Sequence, residues 1–196
     1  MTQNIRLDRV LLDYNDLFVA KDYKGDGKFR FSATALIEPG SENDKKIRAA
    51  IAAEVKDVYG DKAKAFWDSI KSNEQKCSYT DGTQKAAMDD KYAQQNNKMV
   101  LRCHSKVRPT VLDRDKTPLT PADGKPYRGC FVTLLAQIYA MKKTNAGLFA
   151  SFNGVQYVEK GTAFGGATAA STDEFDNLGS EEGDGTSTAD DDFDLG

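Results

Sequence analysis

From Lys28 to Ala35 the chain reads KFRFSATA, and its alternation is strict. Phe29, Phe31, Ala33 and Ala35 fall on one side, and Lys28, Arg30, Ser32 and Thr34 on the other. A period of two belongs to a strand with one dry face and one wet face, and a helix cannot satisfy it. KGDG, just upstream, supplies glycines for the positive φ angles of a turn, so 17–37 is expected to be a hairpin. At Glu38-Pro39-Gly40 that period stops. Ser41 followed by Asp44 resembles a capping box with Asp in place of Glu, and Ile47, Ala50, Ile51, Glu54, Val55 and Val58 then recur at helical spacing. The spacing predicts a helix over 42–59 that ends near Gly60. Any fold for this chain has to join a half-buried strand to an amphipathic helix across that break.

The remaining segments fit a mainly β fold with inserted helices. IRLDRVLL is a weaker first strand, and DKAKAFWDSIKS extends a helical insertion over about 42–72, with Phe66, Trp67 and Ile70 on its buried side. Trp67 reads as a core anchor rather than a stacking residue. Residues 73–97 are polar and read as a loop, with SYTDGT as a turn. KMVLRCHSKV alternates again, Met99, Leu101 and Cys103 opposing Arg102, His104 and Lys106. RGCFVTLLAQIYAM is apolar enough for a central strand, a proline-rich stretch precedes it, and FNGVQYVEKG is the last strand. Phe29, Phe31, Val100 and Ile138 are expected in the core. Strands, then helices, then strands close most naturally as a small antiparallel barrel.

Charge is divided unevenly along the chain. The whole carries 27 basic and 30 acidic residues, a net charge of −3. Residues 161–196 hold ten of the acids and no lysine or arginine, which leaves 1–160 at about +7 and the tail at about −10. From about 166 onward the composition is that of a disordered acidic tail, low in hydrophobicity and rich in glycine and serine. Two echoes stand in it, DEFDNLG at 173–179 and DDFDLG at 191–196. A solvating tail has no need of Phe175 and Phe193, so the segment reads as a recognition element on a flexible tether. A basic body with an acidic tail points to nucleic acid, a membrane surface or an interaction tail.

Most enzyme classes lack their residues. The one histidine, His104, sits on a strand among basic residues, with no nucleophile-elbow motif elsewhere in the chain. Neither Gly27-Lys28 nor Gly124-Lys125 has the upstream glycine of a phosphate-binding loop. DYKGDGKFRFSA imitates a calcium loop at Asp22, Asp26 and Gly27 but puts Lys24 at a ligand position and Ala33 where the bidentate Glu belongs. Asp113 with Asp115, or Asp89 with Asp90, offers a magnesium pair for a nuclease, although acid pairs in polar loops usually cap turns. Cys77, Cys103 and Cys130 are odd in number and widely spaced, which disfavours a disulfide framework or zinc site and fits a reducing cytoplasm. No cofactor and no metal are expected. The opening MTQNIRLDRVLL lacks the pattern of a secretory signal, and no apolar run approaches the roughly 20 residues that span a bilayer.

Binding remains. Lys28 and Arg30, then Arg102 and Lys106, then Arg108 place cations opposite apolar strand positions. Tyrosines accompany them at 14, 23, 79, 92, 127, 139 and 157. A cationic groove for phosphates with aromatic faces for unpaired bases is how single strands are held. An RNA-binding module, and an acidic-tailed adaptor or DNA mimic, share much of this composition.

FRFSATALIEPGSENDKKIRAAI, SKVRPTVLDRDKTPLT, PYRGCFVTLLAQIYA and GLFASFNGVQYVEKGTAFGG together resemble bacteriophage single-stranded DNA-binding proteins of OB-fold type. The resemblance covers most of residues 5–165 and is distantly shared with podophage helix-destabilising proteins. It implies an OB-fold-like barrel over 1–165, with 166–196 as the tail. It also implies sequence-independent coating of single-stranded DNA in phage replication, recombination and repair. The implied tail recruits replication or recombination proteins and competes with DNA. Parity and the matched segments nominate Lys28, Arg30, Arg102, Lys106, Arg108 and Arg128 as phosphate contacts, and Tyr92, Tyr127 and Tyr139 as stacking platforms. Phe175, Asp190, Asp191, Asp192, Phe193 and Asp194 are the nominated partner-binding residues. Such tails often end beside an aromatic residue, whereas here Asp194-Leu195-Gly196 follows Phe193. Homo-oligomerisation is left open, and no membrane partner is expected.

Overall fold

Where the alternation is strict, the strand is where it should be. In a computed structural model that describes residues 3–23 and 25–164, β2 spans Arg30–Ile37, with Ala33 and Ala35 fully buried. Gly25 and Gly27 take the positive φ values that the turn before it requires. α1 spans Glu42–Tyr59. The Asp44 N–H donates to Ser41 Oγ at 3.2 Å, while the Asp44 carboxylate accepts from Gly40 N–H at 2.8 Å, one residue earlier than a standard box. Ile47, Ala50, Ile51, Glu54 and Val55 are its buried stripe, and the cap at Gly60 adopts φ 55°. α2 (Ala63–Ile70) follows, with Ile70 buried and Phe66 and Trp67 half-buried against the core.

Two readings of the sequence are corrected. IRLDRVLL and the first hairpin arm are one strand, β1 (Gln3–Lys21). Its register slips between Leu7 and Val10, around Arg9 at φ 51°, and again between Leu12 and Asn15. These bulges break the period and hide the continuity. Residues 73–97 are not one loop: they hold β3 (Tyr79–Asp81), α3 (Thr83–Met88) and a 3-10 turn over Asp90–Gln95. Tyr79, read as part of a turn, is among the most deeply buried side chains, and its hydroxyl donates to Asp44 at 2.7 Å. That bond ties β3 to the start of α1.

β4 (Met99–Ser105), β5 (Thr110–Leu112), β6 (Phe131–Met141) and β7 (Gly147–Glu159) complete the sheet. β1 pairs with β2, β2 with β4, and β6 with both β7 and β1, all antiparallel. A parallel contact between β4 and β7, with Cys103 opposite Ala150, closes these five strands into a barrel. β3 and β5 extend the sheet beyond the ring, from β4 and β7. This is an OB-fold-like barrel, filled by Leu7, Leu12, Leu17, Leu101, Leu134, Ile138 and Phe152. α1 packs on β1 and β6, and Glu54 Oε1 accepts from Ala140 N–H at 3.1 Å. Ile138 is core as expected, Val100 is fully buried but on the opposite face of β4, and Phe31 is half-buried against the core, but Phe29 is 63% exposed. β2 begins one residue after Phe29, so strand parity has no hold on it. Among the described residues no helix is long and apolar enough to cross a membrane. The expected tail residues Phe175, Asp190, Asp191, Asp192, Phe193 and Asp194 lie outside the described residues.

Candidate nucleic-acid interface

The outer face of β1, β2 and β4 has two unlike ends. At one end Leu36 of β2 lies opposite Val100 of β4, and both are buried although their neighbours Ile37 and Leu101 face the core. Cross-strand partners share a face, so this end is covered. Gly82 lies against it so closely that a Cβ there would come within 3 Å of Val100 Cγ2 and the Gln95 carbonyl oxygen. Beyond them, the Gln94 and Gln95 side-chain amides donate to Asp13 of β1 at 3.0 and 2.8 Å.

At the other end the β2–β4 pairing stops at Phe31 and Ser105, with Phe31 turned inward and half-buried against the core. The 22–29 loop and residues 106–108 leave the sheet there, carrying Tyr23, Lys28, Phe29, Lys106, Val107 and Arg108 to the surface. Asp22 shapes the loop by accepting from Gly27 N–H at 2.7 Å. Eight large hydrophobic side chains are exposed among the described residues. Six of them, Tyr14, Val19, Tyr23, Phe29, Met88 and Val107, lie on β1 or on segments attached to this face.

The nominated residues fall into distinct settings. Lys28 pairs with Asp26 at 3.2 Å in water, and Arg30 stands half-buried opposite Lys21. Burial pushes the Tyr139 hydroxyl up, and the Arg30 charge opposes that shift, so the two are neighbours; Tyr139 also meets Phe149 with ring centroids 6.0 Å apart. Lys106 and Arg108 are exposed and form no ion pair among the described residues. Arg102 is only 18% exposed, donating to Thr80 Oγ1 at 2.7 Å and facing Glu74 at 3.5 Å. Tyr127 is half-buried, and its hydroxyl bonds the Gly161 carbonyl at 3.1 Å. The structure thus gathers Lys28, Arg30, Lys106 and Arg108 at the open end and sets Arg102 and Tyr127 apart as internal ties.

Arg128 and Tyr92 meet at the covered end, with residues that the sequence reading did not nominate. Asp13 is fully buried and accepts from Arg128 through Nη2 at 2.9 Å and Nε at 3.3 Å. The guanidinium lies over Tyr14, 3.9 Å from the ring centroid. Tyr14 meets Tyr92 edge-on at 6.0 Å, and Lys85 and Lys91 stand 4.4 and 5.0 Å from the Tyr92 ring centroid. The available signal was the acid in the apolar run RVLLDYNDLF, since a strand buries a carboxylate only against donors from elsewhere. The last described residues run alongside: Phe164 N–H donates to the Arg128 carbonyl at 3.1 Å, and Gly129, at φ 99°, has no room for a Cβ beneath Thr162.

The family described as Enterobacter phage Enc34, ssDNA-binding protein, matches residues 3–192. The chain belongs to that family. Protein p50 of Acyrthosiphon pisum secondary endosymbiont phage 1 is 35% identical over 181 residues, which cover 91% of this chain and 95% of that protein. The fold of this Enc34-family member is similar to that of the bacteriophage Enc34 single-stranded DNA-binding protein solved in complex with ssDNA. That match has a TM-score of 0.68 at 18% identity and covers 83% of this chain and 89% of the other. It is also similar to gp2.5, a single-stranded DNA-binding protein encoded by bacteriophage T7, with a TM-score of 0.53 at 13% identity over 92% and 98% of the two chains. The family and these neighbours are binding proteins rather than enzymes. The acid pairs weighed for a nuclease serve local geometry in this Enc34-family chain. Asp113 holds Lys125 at 2.7 Å, Asp115 accepts from Thr117 N–H at 2.9 Å, and Asp89 accepts from Lys91 N–H at 3.0 Å.

Proposed function

We propose that this chain binds single-stranded DNA without reading its sequence, along the outer face of β1, β2 and β4, in phage replication, recombination and repair within the host cytoplasm. The observation that carries the reading is the concentration of exposed aromatic and apolar side chains on β1 and on the segments attached to that face, interleaved with cations. Phosphates meet Lys28, Arg30, Lys106 and Arg108, and bases meet rings, which need no particular sequence because every base has a π face. Membership of a single-stranded DNA-binding family supports it. The tail of about −10 competes for the same cations. Its tether to the same domain raises its effective concentration at those cations. An arriving strand displaces it and frees Phe175 and Phe193 for replication or recombination proteins.

The test is fluorescence anisotropy of a labelled oligomer of about 25 nucleotides against the full chain and a form ending at residue 165. Single-stranded DNA, duplex DNA and matched RNA are compared across a salt series. With roughly 4–6 phosphates neutralised, log K falls against log salt with a slope of about −3 to −4, single strands are preferred, and the shorter form binds more tightly. Equal affinity for RNA turns the reading to an RNA-binding module, and no binding by either form overturns it in favour of the acidic-tailed adaptor.

A further inference from the structure

Arg128 is an unusual member of a basic face, because its charge is already matched. Asp13 is fully buried and takes both Nε and Nη2 of the guanidinium, while Gln94 and Gln95 supply two further donors to the same carboxylate. One carboxylate therefore joins β1, the turn over Asp90–Gln95 and the Tyr127–Cys130 segment, three stretches far apart in sequence. A guanidinium gripped along one edge cannot swing as a free surface arginine does, so its plane is fixed. Tyr14 lies beneath it at 3.9 Å, the Arg128 side chain remains 24% exposed, and Tyr92 stands beside Tyr14 with its own lysines. The ring of Tyr14, the plane of Arg128 and the neighbouring ring of Tyr92 make a surface suited to a flat, unpaired base, since guanidinium planes stack on bases as aromatic rings do.

We propose that Tyr14, Arg128 and Tyr92 form a base-stacking subsite, that Arg128 acts there as a planar surface rather than a phosphate ligand, and that Asp13 is the positioning residue that fixes it. The assignment rests on the single-strand reading above and adds a division of labour among the cations. An arginine whose charge is balanced before DNA arrives holds no counterion to release, so it leaves no mark on the salt dependence. Exposed Lys106 does. Lys85, paired with Glu74 at 3.1 Å, and Lys91, paired with Asp89 at 2.6 Å, flank the Tyr92 ring in the free protein.

The decisive experiment uses the full chain and a labelled oligothymidylate of about 25 nucleotides, with affinity measured across a salt series and folding checked by thermal melting. Arg128→Lys keeps the charge but loses the plane, and Arg128→Met loses both. Each is expected to bind about ten-fold more weakly than the parent with the salt slope unchanged, while Lys106→Ala flattens the slope by about 0.7. Tyr92→Phe is expected to bind within two-fold of the parent and Tyr92→Leu about ten-fold more weakly, which keeps the test alive if Arg128 variants melt early. In the Arg128→Met, Tyr92→Leu background, Asp13→Asn is expected to cost no further affinity, because Asp13 acts through Arg128 and through the Gln94 and Gln95 amides of the turn that carries Tyr92. Retained affinity in Arg128→Lys, a slope flattened by about 0.7 in Arg128→Met, or parental binding by Tyr92→Leu overturns the stacking assignment. A further loss from Asp13→Asn in that doubly substituted background overturns the positioning role. Absence of binding by the parent chain overturns the single-strand reading instead.

Discussion

The two ends of the β1–β2–β4 face carry the same kinds of residue in opposite circumstances. Toward Asp13 the arginine is paired and lies over the Tyr14 ring, and Gly82 of the segment 82–95 packs on Val100. Toward the 22–29 loop, Phe29, Lys106, Val107 and Arg108 stand in water. Both ends are basic and aromatic in sequence, yet they suit different tasks. A cation folded against a buried carboxylate gains little from a phosphate, because it would exchange one partner for another. An exposed one gains by releasing counterions. Charge and strand parity nominate both kinds alike, and only the packed partners separate them.

The largest effect expected from this contrast is on stability. Tyr79→Ala removes the fully buried ring that anchors β3, and with it the root of the covering segment, so unfolding in urea should show a loss of about 3–5 kcal/mol. Phe29→Ala, at the open end, should change stability by less than about 0.5 kcal/mol while weakening single-strand binding. Similar losses from the two variants would erase the distinction. Next in size is the combined Lys106→Ala, Arg108→Ala variant, expected to flatten the salt slope by about 1.4 and weaken binding at low salt. Arg102→Ala should lower stability, because it leaves Thr80 Oγ1 without its donor and Glu74 with Lys85 alone, and should leave the slope as it was.

Much of the fold was legible where one local signal decided it. The period in KFRFSATA located β2, and Ser41, Asp44 and Gly60 located both ends of α1. What escaped depended on contacts far apart in sequence. β1 was read as two pieces because Arg9 and the slip at Leu12–Asn15 interrupt its alternation. Residues 73–97 read as a loop because they are sparse in apolar groups, and Tyr79 is buried through a hydrogen bond to Asp44, 35 positions away. At the interface, parity placed Arg102 on the outer side of β4 but could not know that Thr80 and Glu74 would enclose it there. Asp13 was passed over because its meaning lies in Gln94, Gln95 and Arg128, which only the closed barrel brings to it.

The smallest expected effect tests the covered end through acid. Burial alone would raise the Asp44 carboxyl, but the Gly40 N–H, the Tyr79 hydroxyl and the Arg48 guanidinium outweigh it and hold the group below its ordinary 3.8. A carboxylate lowered by folding contributes stability that is complete above its unfolded value and is lost as pH falls through the folded one. Urea unfolding should therefore show wild type losing more stability between pH 5 and pH 3 than Asp44→Asn does. The excess is on the order of 1 kcal/mol, from hydrogen bonds to a buried charge. Tyr79→Phe should remove only the hydroxyl's share of that excess, since Arg48 at 2.6 Å and Gly40 at 2.8 Å keep their bonds. The exposed Asp26–Lys28 pair at the open end is screened by water, so Asp26→Asn should leave the acid profile as in wild type. Parallel profiles for wild type and Asp44→Asn would mean that shape alone anchors the covered end, and the carboxylate that joins α1 to β3 would count as packing rather than charge.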